Sequence, residues 1–298
     1  MRLDNAGLLR LMPVVFVLIW STGFVVARFG MPHAPPLGFL SVRYALSILA
    51  FSLWVAWARA AWPQGRRQWL HLSVSGVLMH AGYLGGVWVA VKGGLGAGLA
   101  ALLVGLQPLL TALWVSARGS AHYVGARQWL GLVLGLAGLV LVVGHKLQLG
   151  EASPGNVAAG LFALLSITAG TLYQKRWVQP CDVRTANTVQ LLAALVVTLP
   201  LALLESGPVQ MHLELVGAMV WSVLVLTLGG SSLLYLLIQR GAATAVTSLM
   251  YLVPPTTALM AWALFDETLS ASVLAGLALA AAGVALVVRA PAQNLEKS

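Results

Sequence analysis

The chain has 298 residues, 59% of them hydrophobic and only 8% charged, with a mean hydropathy of +0.89. A soluble globular domain carries about 25% charged residues, so this composition excludes a water-soluble fold and makes lipid the solvent. The formal net charge of +9 does not point to nucleic acid, because the basic residues are scattered at segment ends. The single cysteine, Cys181, excludes an intrachain disulfide framework or a cysteine-based metal site.

Cutting the chain where charges, prolines or glycine turns interrupt apolar runs predicts an all-α polytopic membrane protein of ten transmembrane helices, each near the ~20 residues needed to cross a bilayer. Span one, 8–28, is read as a membrane span and not as a cleavable signal, because other spans follow it. Late in it, Trp20, Ser21 and Thr22 form an aromatic and hydroxyl patch, suited to a small amphipathic cargo or to helix packing. Span two, 36–57, contains Arg43 within "GFLSVRYALSILAF". At about 1.5 Å per residue this guanidinium lies about 10 Å from the start of its helix. It can snorkel to the headgroups or line a vestibule.

Span three, 69–91, carries His71 near one end and His80 near its centre. On an α-helix Gly76, His80 and Tyr83 share one face. Such a face suits a cargo site, although a His bonded to a neighbouring helix reads the same way. Span four, 94–117, is interrupted by Gln107-Pro108, and span five covers 127–145. Span six, 155–175, offers Thr168, Thr171 and Tyr173, and span seven covers 185–204. Span eight, 214–238, adds Ser231, Ser232 and Tyr235. Span nine, 241–264, is interrupted by Pro254-Pro255, and span ten covers 270–289. Proline frees a carbonyl one turn earlier, so paired breaks point to a transport pathway or to a packing kink.

A cytoplasmic N-terminus leaves only Arg28, Lys92 and Lys146 outside among the 17 Lys and Arg residues, with Arg43 inside a span. The positive-inside rule therefore places both termini in the cytoplasm of a cell (inner) membrane protein. Trp57, Trp62, Trp69, Trp114, Trp129 and Trp177 fall near span ends, as in an interfacial belt. "GLVLGLAGLVLVV" (131–143) and "GLALAAAGVALVV" (276–288) agree at eight of thirteen positions. The preceding "GLGAGLAALLVGLQPLL" (94–110) aligns without gaps to "GAATAVTSLMYLVPPTT" (241–257), placing Pro108 over Pro255. Spans four and five thus repeat as nine and ten. Five being odd, the two units, 1–147 and 148–298, are expected to be inverted about a midplane site.

"IWSTGFVVARFG", "PPLGFLSVRYALS", "GLQPLLTAL" and "LFDETLSASVLAGLALAAAGVALV" resemble segments of the EamA family in the drug/metabolite transporter (DMT) superfamily. The resemblance covers nearly the whole chain. It implies ten helices in two inverted five-helix repeats and transport of amino acids or other small metabolites, often outward. That family often carries a Glu after spans four and nine; Glu267 fills the second place, and "SARGSAHY" fills the first without an acid. Because the family keeps an Arg in span two for unlike cargoes, Arg43, like Pro108 and Glu267, is assigned to structure or gating.

Asp4, Glu151, Asp182, Glu205, Glu214, Asp266, Glu267 and Glu296 all fall in predicted loops or tails. With no membrane carboxylate, the cargo is expected to be neutral, zwitterionic or anionic and not a lipophilic cation. The expected cargo site or pathway comprises Trp20, Ser21, Thr22, His80, Tyr83, Gln107, Thr168, Thr171, Tyr235, Pro254 and Pro255. HExxH, GxSxG and Walker motifs are missing, so no enzyme, metal, cofactor or nucleic-acid partner is expected. The expected partners are a small-molecule cargo and membrane lipid, with monomer and homodimer both open. The competing readings are an intramembrane enzyme acting on lipid through His80 and a lipid-intermediate flippase.

Overall fold

The structure, a computed structural model, describes residues 5–117, 126–150, 152–230, 232–233 and 252–288. All regular structure among the described residues is helical. In chain order the helices are α1 (Asn5–Gly30), α2 (Pro36–Ala58), α3 (Arg66–Gly76), a first π-helical stretch (Val77–Gly82) and α4 (Tyr83–Lys92). They continue as α5 (Ala97–Gly105), α6 (Gln107–Ala117), α7 (Ala126–Gln148), α8 (Pro154–Trp177) and α9 (Val183–Ala202). Then come α10 (Leu213–Val220), a second π-helical stretch (Trp221–Gly230), α11 (Val253–Phe265) and α12 (Ala271–Val288). Six helical segments are long and apolar enough to cross a membrane, and Val14–Gly30, Ala97–Thr111, Val253–Phe265 and Ala271–Leu286 are shorter apolar helices.

The helices are patterned for lipid. On α2, Val42, Leu46, Leu49 and Leu53 are exposed, whereas Arg43, Tyr44, Ser47 and Phe51 are buried. The polar stripe therefore faces the protein and the apolar stripe faces outward, the reverse of a water-soluble helix. All six tryptophans expected in the interfacial belt are exposed. The chain is an integral membrane protein.

Contacts between connections gather at two ends. At one end Glu205 accepts from the backbone N–H groups of Leu37 and Gly38 (3.1 and 2.9 Å), capping the start of α2 behind Pro35-Pro36. Glu267 does the same for α5 through the Ala97 N–H (2.8 Å), and Lys92 Nζ donates to the Met31 carbonyl (2.6 Å). At the opposite end the Gln68 side chain exchanges hydrogen bonds with the Gln179 backbone, and Thr185 Oγ1 donates to the Ala61 carbonyl.

α7 and α12 pack along the two segments that match in sequence. A methyl group at Gly138 would stand 2.5 Å from the Gly276 carbonyl oxygen, and one at Gly283 would strike the backbone of Gly131 and Gly135. Gly131 aligns with Gly276 and Gly138 with Gly283, so the two close approaches are reciprocal. Such backbone contact is the small-residue packing that membrane helices use in place of a hydrophobic driving force.

Candidate functional site

Two consecutive residues of α2 bond to both π-helical stretches. Arg43, only 7% exposed, donates from Nε and Nη2 to Thr227 Oγ1 at 3.3 and 3.1 Å. Thr227 in turn donates to the Ser222 carbonyl, five residues back, at 2.8 Å, the offset of a π turn. Tyr44, fully buried, donates to the His80 carbonyl at 2.9 Å, and its ring stands edge-on to the imidazole at 6.2 Å. Widened turns of this kind occur frequently at functional sites. Arg43 thus turns into the protein and does not reach the headgroups. Its charge is close enough to act on Tyr44, Tyr83 and His80.

The π stretch also changes the expected face of span three. Turns with i→i−5 bonds shift the angular offsets of Gly76, His80 and Tyr83 from those of an α-helix. Tyr83 is buried, His80 is half-buried, and Gly76 lies against the backbone of Gln190 on α9. Gln190 also reaches the His80 side chain and donates to Gln174 Oε1 at 3.2 Å; Ser75 Oγ donates to the same oxygen at 2.9 Å. Beyond them His71 Nδ1 pairs with the Tyr173 hydroxyl at 2.8 Å. A continuous polar layer therefore runs from Thr227 through Arg43, Tyr44 and His80 to Gln190, Gln174 and Ser75. Among the described residues the Ser222 hydroxyl, beside Thr227, is buried without a hydrogen-bond partner.

The remaining expected residues fall into two other groups. On α1, Ser21 and Thr22 donate to the carbonyls of Val17 and Ile19, and Trp20 packs on Phe16. Thr22 also accepts from Trp221 Nε1 at 2.9 Å, and the Ser21 carbonyl accepts from Thr257 at 3.3 Å, so this patch holds α1 to the second π stretch and α11. The other group lies between α5, α6, α8 and α11. Gln107 Nε2 donates to Thr171 Oγ1 at 2.9 Å, and Thr171 and Thr168 donate to carbonyls four residues back. α5 ends before Pro108 and α11 begins with Val253-Pro254-Pro255, so both proline sites are helix starts. At the second of them the Pro254 ring meets Gly105, at the end of α5, in an apolar space also lined by Leu102, Leu106 and Leu277. Ser231 and Tyr235 lie outside the described residues, as does "SARGSAHY" except its first two residues.

Sequence reasoning missed Tyr44, Thr227, Ser75, Gln174 and Gln190. Gln190 in "TVQLLAALVV" was the available signal, an amide inside an apolar run that must find a partner there. Asp182, Glu205, Glu214, Asp266 and Glu267, the acids that the structure describes, lie at helix ends or in connections and supply no carboxylate to this layer.

A model of the EamA-like transporter family matches residues 9–144 and again residues 155–289. The "Probable amino-acid metabolite efflux pump" of Salmonella typhimurium (strain LT2) is 25% identical over 282 residues, covering 91% of each chain. The "Uncharacterized inner membrane transporter YedA" of Escherichia coli (strain K12) is 29% identical over 273 residues, covering 88% of this chain and 85% of that one. An "Uncharacterized transporter" of Archaeoglobus fulgidus is 24% identical over 266 residues, covering 87% and 89%. A solved crystal structure superposes with a TM-score of 0.65 over 93% of this chain and 94% of that one; at 19% identity the likeness is one of fold.

Proposed function

Because the chain belongs to the EamA-like transporter family, we propose that it is a secondary transporter exporting a small neutral, zwitterionic or anionic metabolite, such as an amino acid, by alternating access. Its ten helices form two inverted five-helix units, 1–147 and 148–298, in the inner membrane, with both termini cytoplasmic. The observation that carries this reading is the buried polar layer built on Arg43, Tyr44 and His80. It lies inside an apolar bundle, rests on two π-helical stretches and contains no described carboxylate. A cationic cargo would find no counter-charge there, whereas a cargo carboxylate or amide finds donors. The reciprocal contacts of Gly138 with Gly276 and Gly283 with Gly131 support a two-fold relation between the units. The efflux pump among its relatives supports the cargo class and the direction.

Reconstituted vesicles loaded with labelled amino acids test the reading. Protein-dependent counterflow of chemically unaltered cargo is expected; turnover of lipid without flux would overturn it in favour of an enzyme. With no acid in the layer, any proton coupling passes through His80. His80→Gln is therefore expected to abolish proton-driven uptake while sparing exchange, and intact proton-driven flux in that variant would remove His80 from the coupling path.

Cys181 tests the orientation. It lies between α8 and α9, and burial pushes its thiol above its ordinary value against the opposing contact with Gln68. Thiolate is the reactive form, so labelling should rise with pH above the usual thiol range. Membrane-impermeant maleimide should react only after the cytoplasmic face is opened; reaction in intact cells would invert the topology.

A further inference from the structure

Three potential metal ligands converge at the end of the bundle where Glu205 caps α2. His33 stands in the turn after α1, His212 caps α10, and Glu214 lies in the first turn of that helix. His33 Nε2 is 2.8 Å from Glu214 Oε2, and His212 Nδ1 is 3.8 Å from the same oxygen. The imidazoles stack at 4.5 Å with a 13° interplanar angle, and the three ligand atoms lie within 4.8 Å of one another. The Gln210 N–H donates to the His33 carbonyl at 2.8 Å, so the two connections are already held in register by backbone.

We propose that His33, His212 and Glu214 bind a divalent transition-metal ion of the Zn2+ type, which ties the connection after α1 to the start of α10. Zinc–nitrogen and zinc–oxygen bonds of about 2.0–2.2 Å at tetrahedral angles place ligand atoms about 3.3 Å apart. The observed 2.8 and 3.8 Å lie on either side of that spacing, and the two imidazoles, stacked at 13°, must tilt out of parallel for their in-plane lone pairs to meet on one ion. Two imidazoles and one carboxylate leave a fourth position for water, and this donor set prefers Zn2+ or Cu2+ over Mg2+ or Ca2+. The cost is two hydrogen bonds: the 2.8 Å contact between His33 Nε2 and Glu214 Oε2, whose proton is released, and the weak 3.3 Å cap from the Glu214 N–H to His212 Nδ1. The site is separate from the polar layer and does not depend on which cargo is carried.

Calorimetry of Zn2+ against tag-free, full-length protein tests this. One ion per chain is expected, with Mg2+ giving no heat and Zn2+ raising the melting temperature of the wild type. His33→Ala and His212→Ala should each weaken binding at least about tenfold, and Glu214→Gln, which keeps the shape, should do the same. His145→Ala, at the end of α7, should leave binding unchanged. Zn2+ binding that survives all three ligand substitutions, or a wild type that neither binds Zn2+ nor gains stability from it, would overturn the site.

Discussion

Arg43→Gln is expected to slow the flux of every cargo by about ten- to a hundredfold while leaving the preference among cargoes unchanged. The guanidinium donates twice to Thr227, and hydrogen bonds from a charged group contribute about 1.5–3 kcal/mol where water is excluded. A shorter neutral amide at 43 would leave the Thr227 hydroxyl and the second π stretch without that tie. Tyr44 would still hold the first stretch through the His80 carbonyl. The expected loss is therefore in coordinated movement of two elements and not in recognition, so rates should fall in parallel. Thr227→Val should reproduce part of the loss. The double variant should be no worse than Arg43→Gln, because both substitutions break the same contact. A competition assay in which only carboxylate-bearing cargoes lose affinity would place Arg43 in the binding site instead.

The helical membrane character was legible because long apolar runs between charges have to bury their backbone polar groups in helices in lipid, although only six described segments are long and apolar enough to cross. Arg43 stood out because a charge inside such a run needs a reason. Its partner was not legible. Thr227 is 184 residues away and lies in "WSVLVLTLGG", where nothing in the composition separates a π stretch from an α-helix. The same ambiguity hid the π stretch between Gly76 and Tyr83, since a sequence period of 3.6 assumes the helix type it is meant to reveal. The paired prolines were visible, but their surroundings were not. Pro254 meets Gly105 among leucines. His33 and Glu214, 181 residues apart, illustrate a further limit: ligand spacing speaks only when the ligands share one local segment.

Among the described glycines Gly76 comes nearest to the backbone of another helix, and Gly76→Ala is expected to be severely damaging. A Cβ there would stand 2.5 Å from Gln190 Cα and nearer still to the Gln190 carbonyl oxygen. Both are backbone atoms of α9, so no rotamer change relieves the clash and the helices must separate. Overpacking of a close-packed interior costs about 1–3 kcal/mol, and backbone against backbone belongs at the upper end. The consequence reaches function because Gln190 links Gln174, Ser75 and His80. Pushing α9 away at Gly76 therefore pulls the amide out of the polar layer that rests on the first π stretch. Melting temperature and flux should both fall sharply. Gly144→Ala is the matched control: nothing lies within 4 Å of the added methyl, and alanine favours a helix over glycine by about 1 kcal/mol. It should therefore be neutral or stabilising. Equal melting temperatures for the two variants would show that α3 and α9 do not cross at Gly76.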